Sequence, residues 1–205
     1  MNDVDEAALK RAIHRQAASI VAAVAPFGIV FGAAAATDSI VDRLKAGGVL
    51  LLRHAIAPGY GDPADFRVDD CSTQRNLSEA GRQQASAIGA WLRARGISRA
   101  RVYSSQWCRC LETAELLGIG QVYQLPALNS FFQRPEDRAP NLSALQGFLA
   151  DQTLHNEPLV LVTHQVTVTA LTGVFANSGE GVVATLGENG ELGAFTPLRF
   201  DEQAP

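Results

Sequence analysis

Val49-Leu50-Leu51-Leu52-Arg53-His54 is an aliphatic run that ends in an arginine and a histidine. A continuous apolar run of this kind is typical of a strand buried on both faces of a parallel sheet. A second aliphatic run, residues 159–162, is followed by Thr163 and His164. Because parallel strands end at one edge of a sheet, where such sheets bind their ligands, we expect the two histidines to lie close together.

A third strand, Arg101 to Ser105, is predicted to end at the same edge. It is followed by a helix predicted over residues 107–117, which carries Arg109 in its first turn. The three strand ends therefore predict a pocket that contains two histidines and two arginines.

The remaining elements predict one α/β domain over residues 37–205. Ser78 is a predicted helix N-cap, and strands alternate with amphipathic helices from there to residue 171, which favours a parallel sheet with right-handed crossovers. Residues 182–186 and 193–198 predict a hairpin at the sheet edge. The expected fold is a three-layer αβα sandwich with a mostly parallel central sheet. Further elements are predicted over residues 121–125 (strand), 142–149 (helix) and 166–171 (helix).

The strand-end motifs resemble those of the histidine phosphatase superfamily, the relatives of phosphoglycerate mutase. The matching motifs are Arg53-His54, Ser104-Ser105-x-x-x-Arg109-x-x-Glu112-Thr113-Ala114, Thr163-His164 and the helix start Leu77-Ser78-Glu79-Ala80-Gly81-Arg82-Gln83-Gln84-Ala85. They cover roughly residues 48 to 175 in the family's order. The resemblance implies a phosphoglycerate mutase-like fold in the compact branch, because Gln165 follows His164 where the larger acid phosphatase branch has an aspartate.

The resemblance also implies a reaction. His54 becomes phosphorylated and water then releases phosphate, while His164, Arg53 and Arg109 hold the phosphoryl group. Guanidinium groups suit this task, because their planar forks bind phosphate oxygens in pairs. Further predicted substrate-binding residues are Arg75 and Ser105.

The chain departs from the family pattern at two places. Ala55 replaces the glycine that usually follows the arginine and histidine, and Leu128-Asn129-Ser130 lacks the family's glutamate. The proton donor is therefore open, with Asp70 and Asp69 as candidates and Glu136 or Asp137 as further alternatives. The leaving group could also need little protonation.

The N-terminus predicts export. Residues 17–36 are uncharged, follow Lys10, Arg11 and Arg15, and end in four alanines before Thr37. This order is typical of a secretory signal peptide, here residues 1–36, and it predicts a periplasmic or secreted protein without stable membrane insertion after cleavage. An uncleaved anchor and a soluble helix are the alternatives.

An oxidising compartment would permit Cys71 to pair with Cys108 or Cys110; three reduced cysteines are the alternative. The formal net charge of -4 gives no reason to expect nucleic-acid binding. No zinc site is expected, because Cys108-x-Cys110 lacks the usual ligand spacing. No cofactor or oligomeric state is indicated.

These observations favour an exported, metal-independent phosphomonoester hydrolase that acts on a small or envelope-associated substrate. Two alternatives use the same fold. A protein phosphohistidine phosphatase would need an open pocket, and a phosphate-binding module would keep the pocket without turnover.

Overall fold

The computed structural model describes residues 39–153 and 156–200, which fall within one compact unit. Its centre is a sheet with the strand order β3-β2-β4-β1-β5-β6. The strands are β1 (Val49–Arg53), β2 (Arg101–Ser104), β3 (Val122–Gln124), β4 (Leu159–Thr163), β5 (Gly181–Leu186) and β6 (Leu192–Leu198). The first four strands are parallel, and β5 and β6 are antiparallel additions at the β1 side. The sequence prediction of a mostly parallel sheet with a terminal hairpin is confirmed.

Helices cover both faces of this sheet. Residues 39–45 are helical, and the later helices are α1 (Glu79–Ala94), α2 (Cys108–Leu117), α3 (Arg138–Ala150) and α4 (Gln165–Thr172). Leu50 and Leu52 of β1 belong to a core with α1, α2 and the 39–45 helix, whereas Val49 and Leu51 belong to a core with α3 and α4. The alternating residues of one strand therefore fill two cores, and the chain forms the predicted three-layer sandwich. Three short 3-10 turns lie at Cys71–Thr73, Pro126–Leu128 and Pro135–Asp137.

The start of α1 packs directly against the chain that leaves β1. The Ser78 side chain caps the helix by accepting a hydrogen bond from the Gly81 backbone N–H at 3.1 Å. A Cβ atom on Gly81 would lie 2.1 Å from the Ile56 carbonyl oxygen, so only glycine permits this approach. The glycine of the Leu-Ser-x-x-Gly motif thus holds α1 against the segment that follows His54.

The predicted signal peptide, residues 1–36, lies outside the described residues. Within residues 39–153 and 156–200, no helix has the length and apolar character needed to cross a bilayer.

Candidate active site

The predicted strand ends meet at one edge of the sheet. Arg53 pairs with Thr163 in the β1–β4 register, which places His54 beside His164 with their ring centroids 5.5 Å apart. Arg109 reaches the same point from the first turn of α2. These groups line a cavity of about 130 Å³, together with Arg75 from the loop between β1 and α1. The structure thus brings together the four residues that the sequence assigned to catalysis.

His54 is a buried, neutral imidazole with one nitrogen fixed by the backbone. Its Nδ1 lies 2.8 Å from the Ala55 carbonyl oxygen, which can only accept, so Nδ1 carries the proton. Nε2 is left with a lone pair and accepts from the Arg109 Nε–H at 3.2 Å. Burial, followed by the charge of Arg109, lowers the pKa of His54 to about 3. The ring is therefore neutral at physiological pH, the form that a nucleophile requires.

Ala55 contacts the site through its backbone. The contact to His54 uses the Ala55 carbonyl group, and the Ala55 N–H donates to the Thr113 hydroxyl at 3.0 Å. Both are backbone interactions, so the methyl group does not alter them. The side chain itself is fully buried.

Arg109 is held by Asp62, a residue that the sequence analysis did not single out. Its Nη1 and Nη2 donate to the two Asp62 carboxylate oxygens at 2.7 and 3.1 Å. The Trp107 indole N–H and the Arg75 backbone N–H donate to the same carboxylate at 2.9 and 3.1 Å. Burial acts to raise the pKa of Asp62, but the hydrogen bonds and charge of Arg109, with help from Trp107, outweigh it and lower the pKa. The Nη1 and Nη2 groups of Arg109, which could bind two phosphate oxygens, thus bind the ionised carboxylate of Asp62.

Two further guanidinium groups face the cavity. Arg53 donates from Nη1 to the Ala176 carbonyl oxygen at 3.0 Å, and its buried Nε finds no acceptor among the described residues. Arg75 donates from Nε to the Gly61 carbonyl oxygen at 3.0 Å and from Nη1 to that of Ala57. Burial, and next the charge of Arg109, lowers the pKa of both arginines. An anion that bound between the guanidinium groups of Arg53, Arg75 and Arg109 would therefore be stabilised by all three.

His164 is positioned by groups behind it. Its Nε2 lies 2.9 Å from the Ser105 hydroxyl and 3.5 Å from the Cys110 sulfur. Burial, followed by the charge of Arg109, lowers the pKa of His164 well below its ordinary value. Ser105 is fully buried and does not line the cavity. The structure therefore places Ser105 as a support for His164, not as the substrate-binding group predicted from the sequence.

The candidate proton donors Asp69 and Asp70 lie outside the cavity. Asp70 caps the 3-10 turn at Cys71–Thr73 by accepting from the Ser72 N–H at 3.0 Å, and it forms an ion pair with exposed Arg67. Asp69 is exposed, and the alternatives Glu136 and Asp137 form the separate 3-10 turn. Asp62 is the one carboxylate among the described residues that line the cavity. No cluster of His, Cys, Asp or Glu within the described ranges could hold a metal ion.

A disulfide joins the loop of Asp62 and Arg75 to the start of α2. The bond links Cys71 to Cys108, the neighbour of Arg109, and Cys110 is free and buried. This is one of the two pairings expected from the sequence. Because the two cysteines are 37 positions apart in the sequence, the bond fixes a long loop against the helix that carries Arg109.

Replacing Cys71 and Cys108 together with serine is expected to lower the free energy of unfolding by about 3–4 kcal/mol, on a chain-entropy estimate for this loop length. Denaturant titration of oxidised wild type and variant measures the difference. Alkylation of unreduced, denatured wild type should modify Cys110 alone. Three modified cysteines would contradict the bond.

The architecture and the paired histidines define a phosphoglycerate mutase-like α/β protein. The family model described as histidine phosphatase superfamily (branch 1) matches residues 49–131, which include His54 and Arg109. This part of the chain thus matches the superfamily that its motifs predicted.

Solved structures share this fold at low identity. The protein histidine phosphatase SixA, in complex with tungstate, is 18% identical with a TM-score of 0.53, and the match covers 75% of this chain and 97% of SixA. Mycobacterial hydrolase 1 is 15% identical with a TM-score of 0.53, over 77% of this chain and 99% of the other. A mycobacterial glucosyl-3-phosphoglycerate phosphatase, in complex with inorganic phosphate, is 16% identical with a TM-score of 0.50, over 75% and 96%. No curated protein sequence matches the chain significantly.

Proposed function

We propose that the protein is a metal-independent phosphomonoester hydrolase that works through a phosphohistidine at His54. The observation that carries this proposal is the neutral His54 Nε2 in a cavity lined by Arg53, Arg75 and Arg109. An unprotonated nitrogen nucleophile and guanidinium groups around it meet the two needs of phosphoryl transfer, which are in-line attack and neutralisation of the equatorial oxygens. The match of residues 49–131 to the histidine phosphatase superfamily model supports the same chemistry.

The reaction has two displacements. First, His54 Nε2 attacks phosphorus, the bond between phosphorus and the ester oxygen breaks, and the leaving alcohol takes up a proton. Second, a water oxygen attacks phosphorus, the phosphorus–nitrogen bond breaks, and the water gives up a proton as phosphate departs. The arginines and His164 hold the phosphoryl group in both steps. The Ala55 carbonyl keeps the Nδ1 proton in place, so the partial charge on the ring is stabilised as the nucleophile bonds.

We assign the proton transfers of both steps to Asp62. In the unliganded site Arg109 keeps this carboxylate ionised. A phosphate dianion competes for the Arg109 fork and adds a negative charge nearby, and both effects raise the pKa of a carboxyl group. Substrate binding thus favours protonation of Asp62, which lines the cavity and can give this proton to the leaving oxygen. The carboxylate formed after the first step can accept the proton of the attacking water.

An Asp62→Asn variant is expected to lose activity in proportion to the basicity of the leaving group. Hydrolysis of an alkyl phosphate should fall by about 10²- to 10⁴-fold, the range typical of general acid catalysis. The kcat/KM for p-nitrophenyl phosphate, which reports the first displacement alone, should fall much less, because its leaving group needs little protonation. Steady-state kinetics measures kcat/KM for both substrates. Equal losses on the two substrates would contradict the assignment to Asp62, and Asp70→Asn is the matched control that should change neither rate.

The proposed function itself is tested with the oxidised wild-type protein and p-nitrophenyl phosphate, with and without a chelator. Steady hydrolysis that the chelator does not reduce is expected. Tight phosphate binding without turnover would instead support the phosphate-binding module. Loss of turnover with the chelator would overturn the metal-independent mechanism.

We further propose that the protein is exported and acts in the periplasm or outside the cell. The disulfide between Cys71 and Cys108 supports this proposal, because such bonds persist in oxidising compartments. The expected mature chain begins near Thr37, and intact-mass measurement of periplasmic material checks it. Recovery of a soluble cytosolic chain that retains Met1 would contradict export.

A further inference from the structure

Two aromatic side chains stand at the mouth of the cavity. Tyr60 comes from the loop after β1, and Phe132 comes from the segment between β3 and α3. Their ring centroids are 5.0 Å apart, and the rings meet edge to face. Tyr60 is 89% exposed and Phe132 is 41% exposed, so the fold buries little of the Tyr60 ring. A ring face in this position is available to a bound molecule.

The leaving group of a substrate must point toward this mouth. In-line displacement places the ester oxygen on the side of phosphorus opposite the attacking nitrogen. His54 is 2% exposed and lies at the bottom of the cavity. The ester oxygen and the group that it carries therefore extend outward from His54, past Tyr60 and Phe132.

The charged side chains that line the cavity match one phosphoryl group. Three guanidinium groups and the Asp62 carboxylate give the lining a formal charge of +2, since the two histidines are neutral. With Asp62 protonated on substrate binding, as proposed above, the lining has three cations, and the oxygens of one phosphoryl group can bind all three guanidinium groups. The other polar side chains of the lining, Ser130, Gln133 and Gln165, are uncharged. Arg134 lines the neighbouring depression beyond Gln133 and is not part of the cavity.

We infer that the substrates are phosphomonoesters whose leaving group is uncharged and carries a planar ring that packs on Tyr60 and Phe132. This inference rests on the proposed function and specifies its substrate class. An additional carboxylate on the leaving group would meet no free cation in the lining. A short alkyl group would leave both aromatic rings uncovered.

Phosphonates test this inference without requiring turnover. Calorimetry with the full oxidised protein compares 2-phenylethylphosphonate, propylphosphonate and 2-carboxyethylphosphonate. The phenyl compound should bind on the order of tenfold more tightly than the propyl compound, because its ring buries apolar surface on two aromatic side chains. The carboxyethyl compound should bind more weakly than both. Equal affinities, or no measurable binding of any of the three, would overturn the inference.

Variants of Tyr60 and Phe132 test whether these side chains cause the higher affinity for the phenyl compound. Tyr60→Ala combined with Phe132→Ala should reduce the ratio of phenyl to propyl affinity to about twofold or less, since the ring then has no aromatic partner. The matched control is Phe195→Ala, which removes a partly exposed aromatic ring on β6, away from the cavity lining. It should leave the ratio unchanged. An unchanged ratio in the Tyr60 and Phe132 variant would overturn the assigned binding surface.

Turnover separates this inference from the proposed function. If phosphonate affinities follow the expected order and p-nitrophenyl phosphate is not hydrolysed, the hydrolase proposal fails and the site stands as a ring-selective phosphate-binding site. If p-nitrophenyl phosphate is hydrolysed and the phosphonate affinities are equal, the hydrolase stands and the substrate class is wrong.

Discussion

Replacing His54 with alanine is expected to abolish phosphomonoester hydrolysis while leaving phosphate and vanadate binding largely intact. The nucleophile forms the bond to phosphorus, so its loss should cost at least about 10⁴-fold in kcat. The anion is held chiefly by Arg53, Arg75 and Arg109, whose contacts to the loop carbonyls and to Asp62 do not involve His54. Steady-state kinetics and vanadate competition measure the two effects separately.

The covalent intermediate gives a second measurement. Wild-type protein quenched during turnover should carry acid-labile, base-stable phosphate that maps to His54. His164→Ala is the comparison variant, and its loss of turnover should be smaller, since His164 stabilises charge without forming the bond. Near-normal turnover by His54→Ala, or phosphate trapped on a serine or cysteine, would overturn the mechanism and leave the fold assignment untouched.

Replacing Arg109 with alanine is expected to remove both anion binding and turnover. Arg109 is 3% exposed, donates to His54 Nε2 and supplies a complete fork that a phosphate can occupy. Loss of this group should reduce kcat/KM by at least about 10³-fold, the effect expected for a positioned group that stabilises transition-state charge. Arg53→Ala should likewise lose both functions. Vanadate binding by Arg109→Ala within twofold of wild type would contradict this role.

Two further variants separate charge, geometry and stability at this position. Arg109→Lys keeps the charge but not the fork, so it should recover only part of the binding. Arg109→Ala leaves the buried Asp62 carboxylate without its cation, and removal of one partner of such a pair typically destabilises a protein by about 3–5 kcal/mol. The double variant with Asp62→Ala removes this unpaired charge. Vanadate binding that stays lost in a double variant of restored stability is due to the missing guanidinium, because Asp62 is assigned to proton transfer and not to anion binding.

The parts of the site that follow regular elements could be predicted from the sequence. His54 and His164 each come directly after an aliphatic strand, so their meeting follows from parallel pairing alone. Helix bounds were less certain: α3 begins at Arg138, four residues before the apolar pattern starts at Leu142, because Asn141 and its neighbours give no apolar signal. Arg75 comes from a loop, so no strand or helix pattern placed it at the site, and it was predicted as a third cation from its chemistry alone.

Asp62 could not be predicted, because nothing in the local sequence distinguishes it from Asp65, Asp69 or Asp70. Its selection depends on Arg109, 47 positions later, and on the Trp107 indole N–H. The one local signal is its place between Gly61 and Pro63, in the loop that directly follows the nucleophile's strand. Asp70 was a candidate because the family's glutamate is missing, but the turn at Cys71–Thr73 uses its carboxylate as a cap.

The free Cys110 gives the protein an internal reporter of local opening. It is fully buried, burial raises its pKa to about 12, and the other two cysteines are joined to each other. In the oxidised protein a thiol reagent has one target, which lies 3.5 Å from His164 Nε2 at the back of the site. The rate at which an alkylating reagent reaches this sulfur is therefore set by how often the α2 and β4 ends separate, because the thiolate forms only once the sulfur meets water. A phosphate analogue that clamps these elements should slow the labelling.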